Sequence, residues 1–141
     1  MRIAHISDVH IRKTRRHKEY AEVLDNLCNS IESLGVDRIA LPGDLLHNKT
    51  DLSPEAVTLT SLYLDRLSDI APIDMVLGNH DCVINQHDRE DSLSPVVRML
   101  RKQNKPINLF LESGMYDVTE DLTYGVFAQQ DTVHQWPVNF E

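Results

Sequence analysis

The side chains best suited to chemistry in this sequence are carboxylates and imidazoles that occur in three short clusters. The first cluster holds Asp8 and His10 around Val9, and the second is Asp44, which follows Gly43. Carboxylate oxygens and imidazole nitrogens are common ligands of divalent cations. On extended backbone, residues two apart point the same way, so Asp8 and His10 are expected to share one cation. Taken alone, each motif is better explained by a surface ion pair or by a loop aspartate that caps a helix.

Asn79, His80 and Asp81 follow Gly78 and form the third cluster. Asn79 offers a neutral carbonyl oxygen to a metal, and His80 is either a ligand or a general acid. Asp81 can accept a hydrogen bond from an imidazole nitrogen, which orients the ring and favours its charged form. Gly, Asn and Asp are also typical turn residues. A polar turn does not explain three such clusters in order, each after a predicted buried strand.

Periodic apolar positions predict the elements that must position these clusters. In chain order, we predict a strand at 2–7, a helix at 19–34, a strand at 37–41, a helix at 54–69, a strand at 72–77, a helix at 94–102, and strands at 106–111 and 122–128. This alternation predicts an α/β fold with a largely parallel sheet and flanking helices. In such sheets, side chains that follow neighbouring strands lie at the same edge, where sites form.

The first two predicted helices each have an apolar stripe that is expected to face the core. The expected core residues are Tyr20, Val23, Leu24, Leu27, Ile31 and Leu34 in the first helix, and Val57, Leu59, Leu62, Leu64 and Leu67 in the second. Gly35 is a typical helix end, and Ser53 before Pro54 is a typical helix start.

Length and composition are those of a single globular domain of 141 residues, with 41% hydrophobic and 26% charged residues. No apolar run approaches the roughly 18 residues that span a membrane, and no signal peptide is recognisable, so a cytoplasmic protein is expected. Cys28 and Cys82 lack zinc-binding spacing, and reduced thiols are a simpler expectation than a disulfide. The net charge of −8 disfavours general affinity for nucleic acid, although residues 12–18 hold five of the 14 Lys and Arg.

The motifs D-x-H, G-D and G-N-H-D at successive strand ends resemble those of the calcineurin-like metallophosphoesterases. The combination is far more specific than any one motif. The resemblance implies a sandwich fold and a site for two divalent metal ions. By motif, Asp8 and His10 would hold the first metal, Asp44 would bridge both metals, and Asn79 would bind the second.

The chemistry that the resemblance implies is phosphodiester hydrolysis. Two cations about 3.5–4 Å apart lower the pKa of a bridging water and clamp the phosphoryl oxygens. His80 would face the phosphate, where an imidazolium protonates the leaving oxygen or stabilises charge in the transition state, with Asp81 behind it as its orienting partner. Mixed oxygen and nitrogen ligands suit Mn, Fe or Zn, and Mn is the expected metal.

Within that family, the segments IAHISDVHI and GDLLHNK are similar to the SbcD-type DNA repair nucleases. This branch implies exonuclease or endonuclease action on DNA, together with an SMC-like ABC ATPase of the SbcC type. It also implies that His47, three residues after the bridging carboxylate, helps to place the substrate phosphate. The basic residues Arg12, Lys13, Arg15 and Arg16 are expected to contact DNA phosphates, although a solvated loop explains them equally well.

The second helix offers a basis for pairing two copies of the chain. It carries the apolar residues Leu59, Leu62 and Tyr63, and in the SbcD-type branch helices of this region join two subunits. A stripe that faces the core of the same chain explains these residues more simply, so a homodimer is a secondary expectation.

The family pattern continues with a later histidine and a G-H-x-H motif, and neither occurs in this sequence. His87 lies too close to the third cluster, and His134 has no comparable strand-end setting. We therefore interpret residues 1–141 as the N-terminal part of a single nuclease domain without its C-terminal metal ligands, and expect little activity. Two alternatives remain open, namely a phosphoesterase acting on small molecules or phosphoproteins, and a non-catalytic binding module.

Overall fold

A computed structural model describes residues 1–13, 16–84, 86 and 88–131. Within these residues the elements are β1 (Ile3–His5), α1 (His17–Leu34), β2 (Arg38–Leu41), α2 (Pro54–Ile70), β3 (Ile73–Val76), α3 (Ser94–Lys102), β4 (Ile107–Phe110), β5 (Gly114–Thr119) and β6 (Leu122–Val126). The first four strands form a parallel sheet in the order β1-β2-β3-β4. The predicted α/β class, with a largely parallel sheet and flanking helices, is confirmed.

The hydrophobic core is a single cluster that joins the parallel sheet to the helices. Ile39, Ile73 and Met75 of the strands are at most 2% exposed, and Leu64 and Leu67 of α2 are fully buried in the same cluster. The strands of this sheet are three or four residues long, and the two central ones, β2 and β3, are almost entirely buried, so the chain leaves the core as soon as each of these strands ends. This arrangement brings the loops that carry the three polar clusters to one edge of the sheet.

The buried faces of α1 and α2 differ in part from the predicted stripes. Val23 and Leu34 of α1 are 62% and 56% exposed, and Cys28 is buried in the core instead. In α2, Leu62 is 62% exposed, whereas Tyr63 is only 4% exposed. The apolar spacing identifies a broad stripe on each helix, but the neighbouring elements decide which part of that stripe is covered.

The region after β4 forms an antiparallel hairpin in which β5 pairs with β6. The sequence predicted the second of these strands and missed the first. Side chains of β5 do not alternate clearly between buried and exposed, and Met115 is 70% exposed. The hairpin lies against the end of β4, where the rings of Tyr116 and Tyr124 are 4.5 and 6.4 Å from the ring of Phe110.

Several local predictions are confirmed. Gly35 ends α1 with a φ of 58°, and the hydroxyl of Ser53 caps α2 by accepting a hydrogen bond from the amide of Ala56 at 3.2 Å. Cys28 and Cys82 are both buried free thiols. Among the described residues, no helix combines the length and the apolar character needed to cross a membrane. The predictions for Arg15, His87 and His134 concern positions outside the described residues.

Candidate metal centre

The loops after β1 and β2 run side by side and are joined by backbone hydrogen bonds. The amide of His10 donates to the carbonyl of Asp44 at 3.0 Å, and the amide of His47 donates to the carbonyl of Ile11 at 3.0 Å. These bonds continue the parallel pairing of the two strands beyond the sheet. The side chains of the first two clusters are therefore held next to each other.

Asp8, His10 and Asp44 all have left-handed backbone conformations, with φ values of 56°, 52° and 54°. The premise that extended backbone aims Asp8 and His10 in the same direction is therefore wrong, because these residues lie in a tight turn beyond the strand. A left-handed conformation costs a non-glycine residue on the order of 1–3 kcal/mol, and such residues concentrate at functional sites. Tertiary contacts, rather than local preference, hold these three side chains together.

The three side chains form a compact group of possible metal donors. His10 Nε2 lies 3.8 Å from Asp8 Oδ1 and 3.9 Å from Asp44 Oδ2. One donor atom from each residue lies within 4.8 Å of the other two. The side chain of Asp8 is 68% exposed and that of Asp44 is 16% exposed, so the group opens to solvent on the Asp8 side. Two carboxylates and one imidazole suit a divalent transition metal such as Mn, Fe or Zn.

His80 is tied to both neighbouring loops. Its amide donates to Asp44 Oδ1 at 2.9 Å, and its ring Nδ1 lies 2.8 Å from the carbonyl oxygen of His47. A carbonyl oxygen only accepts hydrogen bonds, so Nδ1 must carry a proton; Nε2 then has a free lone pair in the neutral ring and carries the second proton in the imidazolium. The ring of His80 is 4.8 Å from that of His10, measured between centroids.

Asp81 has a different role from the predicted one. Its side chain is completely buried, with Oδ1 accepting the amide of Leu46 and Oδ2 accepting the amide of Gly78, both at 2.9 Å. The carboxylate therefore fastens the second loop to the third, and the orientation of His80 is set by the carbonyl of His47. Burial raises the pKa of Asp81, and hydrogen bonds from backbone amides oppose that shift.

His47 lies beside the three-residue group, and Asn79 lies in the turn of the third cluster. The Nδ1 atoms of His47 and His10 are 3.4 Å apart. Burial lowers the pKa of His47, and the nearby positive charge of Arg12 acts in the same direction. Asn79 is half-buried in the turn directly before His80.

The basic loop is partly neutralised by acidic neighbours. Lys13 Nζ lies 2.6 Å from Asp51 Oδ2, and Arg16 Nε lies 3.6 Å from Glu19 Oε2. Arg12 is exposed and close enough to His47 to affect its titration. Of the described basic residues predicted to contact substrate, Arg12 therefore has the clearest connection to the site.

Tyr20 is a positioning residue that the sequence did not reveal. Its hydroxyl donates to the carbonyl of His10 at 2.8 Å, and thus ties α1 to the left-handed turn. The apolar spacing correctly placed Tyr20 on the inner side of α1. The one sequence signal for its positioning role is the hydroxyl group, because a half-buried tyrosine hydroxyl usually needs a hydrogen-bond partner.

Gly43 and Gly78 allow the second and third loops to touch. Gly43 has a φ of 113°, and a Cβ on it would lie 2.8 Å from Gly78 Cα. A Cβ on Gly78 would lie 2.1 Å from Asp44 Oδ1 and 2.3 Å from the Asp44 amide nitrogen. Glycine is required at position 78 because the backbone of Asp44 lies too close for a side chain. It is not required by the conformation of a turn.

The variant Gly78→Ala is expected to lower the free energy of unfolding by about 1–3 kcal/mol, the usual cost of forcing a methyl group into a packed site. It should also displace Asp44 and weaken Mn²⁺ binding. Chemical denaturation and calorimetric titration with Mn²⁺ measure the two effects. Gly125→Ala is the matched control, because its Cβ would meet only Met115 Sδ at 3.5 Å. Equal behaviour of the two variants would contradict the role assigned to Gly78.

These features, a parallel α/β sheet whose strand ends bring together carboxylates and imidazoles, define a metallophosphoesterase type of site. The family model described as calcineurin-like phosphoesterase matches residues 1–137. The chain belongs to this family.

Two relatives extend the comparison. The chain is 39% identical over 128 residues, 88% of its length, to "Uncharacterized protein R555" of Acanthamoeba polyphaga mimivirus. It is 35% identical over 104 residues, 68% of its length, to the D subunit of the nuclease SbcCD of Bacillus subtilis (strain 168). The matched regions cover 9% and 25% of these two relatives, so the chain spans only a small part of each.

Proposed function

We propose that this chain carries the N-terminal metal-binding and phosphate-binding motifs of a metal-dependent phosphodiesterase that acts on DNA. The observation that carries this proposal is the convergence of Asp8, His10 and Asp44 from two loops, with His47 and His80 directly beside them. The similarity to a relative named as part of a nuclease supports DNA as the substrate.

The donor atoms suggest how two metal ions would be held. Asp8, His10 and Asp44 would supply oxygen and nitrogen ligands for the first metal. Asp44 and Asn79 would supply oxygen ligands for the second, as the family resemblance implies. We propose Mn²⁺ as the metal, since carboxylate and amide oxygens, which make up most of this ligand set, suit Mn²⁺. When bound, such cations activate water for attack and offset the negative charge of the phosphate.

The two histidines beside the carboxylates would act on the phosphate. Because Nδ1 of His80 is held by a backbone carbonyl, Nε2 is the atom that can bring a proton to the leaving oxygen. His47 lies at the same edge, with its ring stacked on that of His80 at 5.3 Å between centroids. Arg12 adds a positive charge near His47, where a DNA phosphate would approach. Asp81 acts only through the loops that it joins.

We further propose that the partners of this chain are DNA, an SbcC-type ATPase and a second copy of the chain. The relative in Bacillus subtilis is named as one subunit of the nuclease SbcCD, which supports a partner subunit, and the SbcD-type resemblance implies that this partner is an SMC-like ATPase. The second copy is supported by Leu62, which leaves an apolar side chain 62% exposed on α2. Sedimentation of the chain alone tests for the second copy, and sedimentation of a mixture with such an ATPase tests for the ATPase. A chain that sediments as a monomer in both samples would refute both partners.

The substrate class is tested by Mn²⁺-dependent hydrolysis of single-stranded DNA, a bis-aryl phosphodiester and an aryl phosphomonoester. We expect weak turnover by the 141-residue chain, because the second metal has only Asp44 and Asn79 in the proposed ligand set. A version that includes any coding sequence downstream of residue 141 should cleave both diesters faster than the monoester. Preference for the monoester would support a phosphoesterase acting on other substrates. Robust turnover by the 141-residue chain would contradict the incomplete ligand set.

A further inference from the structure

Three imidazoles, one from each of the three loops, meet beside the carboxylates. The ring centroids are 5.4 Å apart for His10 and His47, 4.8 Å for His10 and His80, and 5.3 Å for His47 and His80. One ring nitrogen from each of them lies within 4.8 Å of the other two. All three side chains are half-buried, which leaves them accessible to a small cation. This three-histidine group contains no carboxylate and differs in donor chemistry from the group formed by Asp8, His10 and Asp44.

The spacing of two of these nitrogens already fits a shared zinc ion. The Nδ1 atoms of His10 and His47 are 3.4 Å apart. Two nitrogen ligands on one tetrahedral zinc, at about 2.0–2.1 Å each, are separated by about 3.4 Å. A ring nitrogen of His80 lies within 4.8 Å of the other two, and the broad second side-chain torsion of His10 and His47 lets their rings turn towards it while His80 keeps its hydrogen bond.

His80 has the hydrogen bonding of a metal ligand. Its Nδ1 proton is donated to the carbonyl of His47 at 2.8 Å, which leaves the lone pair of Nε2 for a cation. Histidines that bind metals almost always donate their other ring proton to a carbonyl or carboxylate in this way. The backbone carbonyl of His47 therefore orients the ring of His80, and the side chain of His47 is itself one of the three ligands.

His10 faces both groups with different atoms. Its Nε2 is directed to the carboxylates, at 3.8 Å from Asp8 Oδ1 and 3.9 Å from Asp44 Oδ2, while its Nδ1 is directed to His47. A neutral imidazole has only one nitrogen with a free lone pair. A cation at Nδ1 therefore places the proton on Nε2, and His10 serves one group at a time.

We propose that His10, His47 and His80 bind a zinc ion in competition with the metal held by Asp8, His10 and Asp44. Imidazole ligands suit Zn²⁺, whereas carboxylate-rich sites suit Mn²⁺, and Zn²⁺ lies above Mn²⁺ in the general order of affinity. Zinc binding itself depends only on the positions of the three rings. Zinc bound here would also inhibit hydrolysis, because it would occupy His47 and His80. This consequence rests on the proposed function, which assigns both histidines to the phosphate.

The test is calorimetric titration of the full 141-residue chain with Zn²⁺ and, separately, with Mn²⁺. The variant His47→Gln should weaken Zn²⁺ binding at least about tenfold, because even the outer partners of a metal ligand are worth about 10–100-fold. Its affinity for Mn²⁺ should stay that of the wild type. Asp8→Asn should show the reverse pattern, and His5→Gln, at an exposed histidine of β1, should change neither.

Cobalt provides a second readout that does not depend on activity. Co²⁺ bound by three imidazoles and water should give the strong visible absorption of tetrahedral Co²⁺, which Zn²⁺ removes and His80→Gln weakens. Equal Zn²⁺ affinity of His47→Gln and the wild type, or simultaneous binding of Zn²⁺ and Mn²⁺ without mutual displacement, would overturn the inference. A failure of the proposed function would give a different result: the chain would show no Mn²⁺-dependent hydrolysis, while the variants would still change Zn²⁺ binding as described.

Discussion

In the version that includes any coding sequence downstream of residue 141, replacing His80 by alanine is expected to lower the turnover number for phosphodiester hydrolysis by about 10²–10⁴-fold, the usual contribution of a positioned general acid. The ring is fixed by its hydrogen bond to the carbonyl of His47, so Nε2 is the atom that remains to deliver a proton. The amide of residue 80 still donates to Asp44 in the variant, since that bond involves only backbone on one side. Binding of Mn²⁺ should therefore persist while the rate falls.

The leaving group provides the sharpest form of this experiment. A nitrophenolate leaves without help from an acid, whereas an alkoxide needs a proton, so His80→Ala should slow an alkyl diester much more than a nitrophenyl diester. His5→Ala is the matched control, because His5 is an exposed histidine of β1 and does not belong to either group of possible metal donors. A uniform loss on both substrates would argue against proton delivery, and an unchanged rate would remove His80 from the catalytic residues.

The variant Asp74→Ala is expected to lower the free energy of unfolding by about 3–5 kcal/mol, the cost of leaving one charge of a buried pair without its partner. Asp74 accepts two hydrogen bonds from Arg38, with Nε to Oδ2 at 2.6 Å and Nη2 to Oδ1 at 2.8 Å. Asn108 donates a third, at 2.7 Å. Arg38 is 8% exposed and Asp74 is 5% exposed, so water cannot readily replace the lost carboxylate.

Denaturation by urea measures this loss, and the double variant Arg38→Met with Asp74→Leu is its control. Removing both charges replaces a buried ion pair with apolar side chains, which is often neutral or stabilising. The double variant should therefore be more stable than Asp74→Ala alone. Wild-type stability of Asp74→Ala, or a double variant less stable than the single one, would show that the pair does not hold β2 to β3.

The order of helices and strands was readable from the sequence because each element has its own signal. The apolar spacing of α1, the Ser53-Pro54 start of α2 and the short apolar runs of the parallel strands are local features, and the structure confirms them. Strand β5 lacked such a signal, since its exposed side chains show no regular alternation. Its Tyr116 contacts the ring of Phe110 in β4, and a local pattern does not record such a contact.

The composition of the candidate site was also readable, whereas its geometry was not. Motif spacing brought Asp8, His10 and Asp44 together in the prediction, and the structure places them within reach of one cation. The expectation of extended backbone at Asp8 and His10 was wrong, because the conformation of both residues is left-handed. Local preference disfavours that conformation, so only the neighbouring loops can impose it.

The sequence by itself determined the α/β class, the three polar clusters and the family to which they belong, because these depend on residue type and spacing along the chain. The tertiary structure alone decided the hydrogen-bond partners. It buried Asp81 beneath the amides of Leu46 and Gly78, and it placed the carbonyl of His47 against His80. Backbone carbonyls and amides are the same at every residue, so their roles appear only when the chain is folded.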